Sequence, residues 1–174
     1  MKLTHLLYFS FFSFLFSGCV VVKSQVDFNN DPEYHTKIKS AFVEVKDIKL
    51  SYFLYGLNDS LIANLKIKDV TIQSFKTDAL SLDSEKNIQK QIKLLNPEVL
   101  IILERADTNI GRGRYTDFYD GGIYTMTIKL LKEDKTIWKA TISTKNEYVN
   151  RGHSRIINQT TQQIIEKLQT DQLL

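Results

Sequence analysis

Glu98-Val99-Leu100-Ile101-Ile102-Leu103-Glu104 is the stretch on which the fold turns. Its five apolar residues run without alternation between two carboxylates, the pattern of a strand covered on both faces in the middle of a sheet. Downstream, 123–131 and 136–145 read as two further strands. Lys132-Glu133-Asp134-Lys135 between them is short and polar enough for a hairpin turn. Upstream, Ala41-Phe42-Val43-Glu44-Val45 and Val70-Thr71-Ile72-Gln73-Ser74-Phe75 read as strands. Leu57, Leu61, Ile62 and Leu65 recur at helical spacing, with Asn58 or Asp59 as the cap. Residues 83–95 give a second helix with Ile88, Ile92 and Leu95 on one face, capped by Asp83 or Ser84 and stopped by Asn96-Pro97. A third helix over 154–168 carries Ile156, Ile157, Thr160, Ile164, Ile165 and Leu168 on one face, with Ser154 as N-cap.

The order β-α-β-α-β-β-β-α describes a single small α/β domain. Helical crossovers link parallel strands and a terminal hairpin turns back, so the sheet is mixed and the helices pack on it. At 174 residues, with 43% hydrophobic residues, 10 Phe and 8 Tyr, the chain has enough apolar surface for a core of its own. The formal charge of +3 falls to +2 without Lys2, a balance that gives nucleic acid little to hold and excludes it as an expected partner.

Residues 1–19, MKLTHLLYFSFFSFLFSGC, join a basic start to a greasy stretch shorter than a membrane span. The segment ends in Phe16-Ser17-Gly18-Cys19, which resembles the bacterial lipobox, with Phe16 where that pattern usually has Leu. The resemblance implies a signal peptide over 1–18 and a Cys19 that becomes the lipidated N-terminus, held in a membrane of the cell envelope by more than one acyl chain. Val20 stands where an inner-membrane retention signal would place Asp, which leans the implied address toward the outer membrane. Cys19 is the only cysteine, so neither an internal disulfide nor a cysteine zinc site can form. Residues 19–37, with Asn29, Asn30, Asp31 and Pro32, show no sustained period and read as a tether with a reach on the order of 20 Å. The folded domain is then 38–174. Its element order resembles small α/β domains of envelope proteins: the lipoprotein activators of penicillin-binding proteins, the curli secretion lipoprotein, and the amino-terminal domain of the translocation protein TolB. No residue motif of those families is matched.

Candidate chemistry is sparse. Past the leader only His35 and His153 remain, and no Gly-x-Ser-x-Gly elbow, phosphate loop, dinucleotide fingerprint or calcium loop is present. Glu98, Glu104, Asp107, Asp117 and Asp120 supply carboxylates, but spacing alone does not pair them. The expectation is therefore of no catalytic residue, metal or cofactor. The segment most like a site is 105–122, RADTNIGRGRYTDFYDGG, long for a connection between two strands. Arg105, Arg112 and Arg114 beside Tyr115, Phe118 and Tyr119 suit stacking and bidentate recognition of carboxylate or phosphate. Its plainer reading is an over-long hairpin whose arginines pair with its own aspartates. Two functions fit: a non-catalytic accessory lipoprotein at the outer membrane that docks an envelope protein through this loop, or a lipoprotein that binds a small ligand, lipid or glycan.

Overall fold

The apolar runs pair into one sheet. A computed structural model describes residues 23–46, 52–76, 84–107, 122–145 and 153–174. In chain order they form β1 (Lys23–Asn30), β2 (Ser40–Lys46), α1 (Tyr52–Ile67), β3 (Thr71–Lys76), α2 (Ser84–Leu95), β4 (Val99–Asp107), β5 (Gly122–Leu130), β6 (Lys135–Lys145) and α3 (His153–Thr170). The six strands lie in the order β1-β6-β5-β4-β2-β3. β2 is parallel to both β3 and β4, while β4, β5, β6 and β1 pair antiparallel in succession. The mixed α/β sheet expected from the sequence is present, with β4 in its middle and β5–β6 as the hairpin.

The handedness of crossovers places the helices. The chain steps outward from β2 to β3 through α1 and back past β2 to β4 through α2, so right-handed connections put α1 and α2 on opposite faces. α3 joins α1. Under these two helices Ala41, Val43, Val45, Val99, Ile101, Leu103, Tyr124, Met126, Ile128, Trp138, Ala140 and Ile142 are buried. On the other face Phe42 is fully buried and Ile88 of α2 is buried, and α2 contacts β2. Leu100 and Ile102 of β4 point to that same face and are only half-buried. The apolar run of β4 is thus completely covered on one face, not two.

Three boundaries differ from the sequence reading. Residues 23–30 are not tether: they form the edge strand β1, which places Phe28 5.5 Å from the Trp138 ring. α1 begins at Tyr52, so Asn58 is no cap but a fully buried mid-helix residue, its Nδ2 donating to Asp59 Oδ1 at 3.0 Å and to Ser74 Oγ at 3.5 Å. α3 begins at His153, which puts Ser154 inside its first turn. α1 and α3 meet where Gly56 faces Ile157: a Cβ built on Gly56 would lie 2.4 Å from Ile157 Cδ1.

The three described helices each end in a left-handed residue that is not glycine: Asp69, Asn96 and Gln172. After α1, Val70 N–H reaches Leu65 O at 3.1 Å and Asp69 N–H reaches Lys66 O at 3.1 Å. After α3, Leu173 N–H reaches Leu168 O at 2.9 Å and Gln172 N–H reaches Gln169 O at 3.0 Å. Both are Schellman closures, with the buried pairs Leu65 and Val70, Leu168 and Leu173 beside them. After α2 the next residue is Pro97, which has no N–H to give, so only the single bond from Asn96 N–H to Ile92 O forms, at 2.8 Å.

Trp138 is fully buried, and its Nε1–H donates to Asp171 Oδ2 at 3.0 Å, while Lys167 pairs with the other carboxylate oxygen. Asp171→Ala leaves the indole N–H buried without an acceptor and is expected to cost about 1–3 kcal/mol in urea unfolding. Asp171→Asn keeps an acceptor and should cost less; equal losses would rule out the indole bond as the cause.

β1 is tied down at its far end by Asp31. Its N–H donates to Ile137 O at 2.8 Å, and its Oδ2 lies 2.5 Å from Lys135 Nζ. The Lys135 ammonium, then the Glu33 amide, hold the Asp31 carboxyl below its ordinary 3.8. Its contribution is complete above pH 3.8 and is lost as the pH falls through the lowered value. Lys135 is raised above 10.5 by the same pair, so its half persists below pH 10.5 and disappears as the pH rises past the raised value. Asp31→Asn should therefore lower the urea midpoint at neutral pH, and the difference should vanish well below pH 3.8. A difference that survives full protonation would assign the effect to the turn instead of the ion pair.

Candidate functional site

The strand register gathers Arg105 and Gly122, which bound the candidate loop, and Lys23 at one end of the sheet. Lys23 pairs with Lys145, Thr144 with Gly122, and Tyr124 with Arg105. β2, β3, β4 and β6 all finish at this end, the side on which α/β sheets commonly hold ligands. Of the candidate binding residues, Arg105 is described. Arg112, Arg114, Tyr115, Phe118 and Tyr119 lie outside the described residues, as does Cys19.

Arg105 follows Leu103 on the core-facing side, and its guanidinium carbon sits 5.6 Å from the centroid of the Tyr124 ring. Tyr124 is fully buried and lies 4.7 Å, centroid to centroid, from Phe53 of α1. The cation thus rests on a two-ring stack at the mouth of the core. Arg105 Nε is buried and has no hydrogen-bond partner among the described residues. Register slips between Arg105 and Asp107, so Ala106 is the extra residue of a bulge, a device that re-aims side chains at sheet ends.

Gly122 closes the site from the β5 side. Its N–H reaches the buried Thr144 Oγ1 at 3.3 Å, and the Thr144 hydroxyl donates back to Gly122 O at 3.5 Å. A Cβ at Gly122 would lie 2.9 Å from Tyr124 Cζ and Oη. Nothing in the sequence singled out Tyr124, Phe53 or Thr144; they lie far apart along the chain and meet only through the fold.

The carboxylates at the ends of β4 are already engaged. Glu98 Oε2 accepts Lys39 N–H at 2.8 Å, and Glu104 Oε1 accepts the Thr125 hydroxyl at 3.0 Å. Six residues of extended chain separate them, about 20 Å, far beyond the span of a glycosidase pair. Among the described residues no group of three His, Cys, Asp or Glu side chains could hold a metal ion, and no helix is long and apolar enough to cross a membrane.

No known protein family matches the sequence, and no curated protein matches it. Solved structures do. The chain is similar in fold to PelC. Against the PelC dodecamer from Paraburkholderia phytofirmans the TM-score is 0.54 at 14% identity, covering 87% of this chain and 99% of that one. A single-substitution variant of the same dodecamer gives 0.53 at 13% identity, covering 79% and 92%. At these identities the likeness to PelC is one of fold.

Tyr124 is held between Phe53 and the site, so its ring cannot yield to a new methyl group at Gly122. Gly122→Ala is expected to destabilise by about 1–3 kcal/mol, read as a lower urea midpoint. A substitution without effect would mean that the ring is free to move and that Arg105 has no fixed platform.

Proposed function

We propose that this chain is an exported, lipid-anchored accessory protein of the bacterial cell envelope, facing the outer membrane, which binds an envelope protein partner and performs no catalysis. One observation carries the proposal: β1 starts at Lys23, four residues after Cys19, and enters the sheet at the end where Arg105 and Gly122 bound the arginine and aromatic loop. Four residue steps of extended chain span at most about 14 Å. A Cys19 carrying the diacylglycerol and the amide-linked acyl chain that the lipobox implies would hold that end of the sheet near the bilayer surface, with Arg105, Arg112, Arg114, Tyr115, Phe118 and Tyr119 offered to whatever lies there.

The likeness to PelC, which is a dodecamer, supports a working form of several copies. The engagement of Glu98 and Glu104 in structural hydrogen bonds supports a binding role over hydrolysis.

The test compares the full chain with its Cys19→Ala variant by intact mass and membrane fractionation. Acyl mass on the wild type and its loss with Cys19→Ala is the expected result; two unmodified proteins would remove the anchor. In a pull-down from membranes, Arg112→Ala, Arg114→Ala and Tyr115→Ala together should release the partner. Retention of the partner would remove the loop from the interface. Light scattering of the detergent-purified chain then reads whether copies associate.

A further inference from the structure

The sheet ends in two strands that each have one neighbour. In the order β1-β6-β5-β4-β2-β3, β1 pairs with β6 alone and β3 with β2 alone among the described residues. One hydrogen bond fixes the backbone phase of each. Asp31 N–H donates to Ile137 O, so Gln25, Asp27 and Asn29 turn their peptide groups to β6, while Ser24, Val26, Phe28 and Asn30 turn theirs outward. Thr71 N–H donates to Lys39 O, so Ile72, Ser74 and Lys76 are the outward residues of β3. Sheet edges are normally guarded by proline, by a bulge or by lysines along the strand. Neither strand contains proline, and neither pairing has a register shift. Lys23 only begins β1. Lys76 is turned onto α1, 2.9 Å from Asp59 Oδ1 and 5.1 Å from the Tyr55 ring centroid.

The two edges match each other. β1 runs antiparallel to β6, and hence to β2, β3 and β4. A second copy laid beside β3 with its helical layer on the same side therefore presents its β1 antiparallel to that edge. Both edges also carry half-buried apolar side chains on the helical side. On β1 these are Val26 and Phe28. Beside β3 they are Tyr55 and, two turns further along the same side of α1, Ile62. Joining the edges would bring these two groups together and cover both.

We propose that copies of this chain join head to tail, β3 of one pairing antiparallel with β1 of the next, so that sheet and helical layer continue from copy to copy. This rests on the several-copy form proposed above and gives it an interface. Two different surfaces meet, so the contact closes into a ring or grows as a filament according to the rotation between copies. The favoured register sets Ile72 opposite Phe28 and Ser74 opposite Val26, with Gln73 opposite Asp27 on the other face. Pairing β1 with itself about its centre would instead oppose Asp27 to Asp27, which like charges disfavour.

Cysteine cross-linking of the full chain in detergent tests the contact. Asp27 and Gln73 are exposed. In the proposed pairing they face each other without hydrogen bonds, with Cα atoms about 4.5 Å apart and within disulfide range. Inside one copy the two edges are five strand spacings apart, roughly 24 Å, so no intramolecular bridge can form. Asp27→Cys with Gln73→Cys, oxidised with copper phenanthroline, should give a ladder of dimers, trimers and larger species on a non-reducing gel. Either substitution alone should add nothing to the unsubstituted chain, which reports any bridge through Cys19. Gln25→Cys and Asn29→Cys, each with Gln73→Cys, read a register slipped by two residues. No ladder from any of the three pairs overturns the proposal, as does a dimer from Asp27→Cys alone, which marks a two-fold β1 contact. Ser74→Pro removes an outward N–H and spares the pairing with β2. It should reduce the mass read by light scattering to that of one chain, and an unchanged mass also overturns the proposal. Association that persists without a ladder sinks the edge pairing alone and leaves the several-copy form standing on another interface, while the intact mass of the chain reports on the anchor independently.

Discussion

The structure is locked at the junction of Ile38, Lys39, Ser40 and Glu98. Ile38 N–H donates to Leu173 O at 3.0 Å, holding the C-terminus to the start of β2. Thr71 N–H donates to Lys39 O at 2.9 Å, setting the entry of β3. Glu98 accepts Lys39 N–H through its carboxylate, gives its own N–H to Ser40 Oγ at 3.0 Å, and accepts Leu131 N–H at 3.1 Å. Five segments distant in sequence thus share one corner, and the register of β2, β3, β4 and the β5–β6 hairpin follows from it. Register matters here because a one-residue slip in β4 would exchange the buried Val99, Ile101 and Leu103 for Leu100 and Ile102.

The same end of the sheet receives the C-termini of all three helices, since each returns antiparallel to the strand it follows. A left-handed residue with a Cβ costs about 1–2 kcal/mol. Asp69, Asn96 and Gln172 each accept that cost because the reversal brings orphan helix carbonyls to a partner N–H and buries the flanking apolar residues. Stability and turning are therefore concentrated at one end, while β2, β3, β4 and β6 finish at the other. Residues at that second end can change without disturbing the corner that sets the register, an arrangement suited to a binding surface on a fixed scaffold.

How far the sequence could be read follows from how strongly each element is patterned. β4, the β5–β6 hairpin and α3 were legible because their apolar residues recur at one period and bury on one face. β1 was not. Only Val26 and Phe28 of its core-facing positions are apolar, and Asn29, Asn30 and Asp27 are poor strand formers, so its strand character comes from pairing with β6. The start of α1 was misplaced because Asn58-Asp59 has the chemistry of a cap, yet Asn58 points inward and bonds to Ser74 across the packing interface. At the site, the length and composition of 105–122 drew attention to the loop, but the Phe53, Tyr124 and Arg105 stack depends on which residues face one another across β4, β5 and α1, information that no local window contains.

The correction at β1 changes what kind of partner the proposed anchor allows. A long tether sets only a distance: the domain tumbles beneath it, and any face can meet a target on the order of 20 Å away. An edge strand that begins four residues from Cys19 also limits which end of the sheet the proposed anchor could hold. The strand is fixed to β6 along its whole length by antiparallel pairing and to the next turn by Asp31 and Lys135, so the proposed anchor would attach to one end of the sheet and not to a free segment. Under the proposed anchoring the end bearing Arg105 would lie within about 14 Å of the bilayer, and the helical layer would extend away from that end along α1 and α3. Under the same proposal a partner of that end would have to reside near the membrane surface, within reach of the few residues between Cys19 and Lys23.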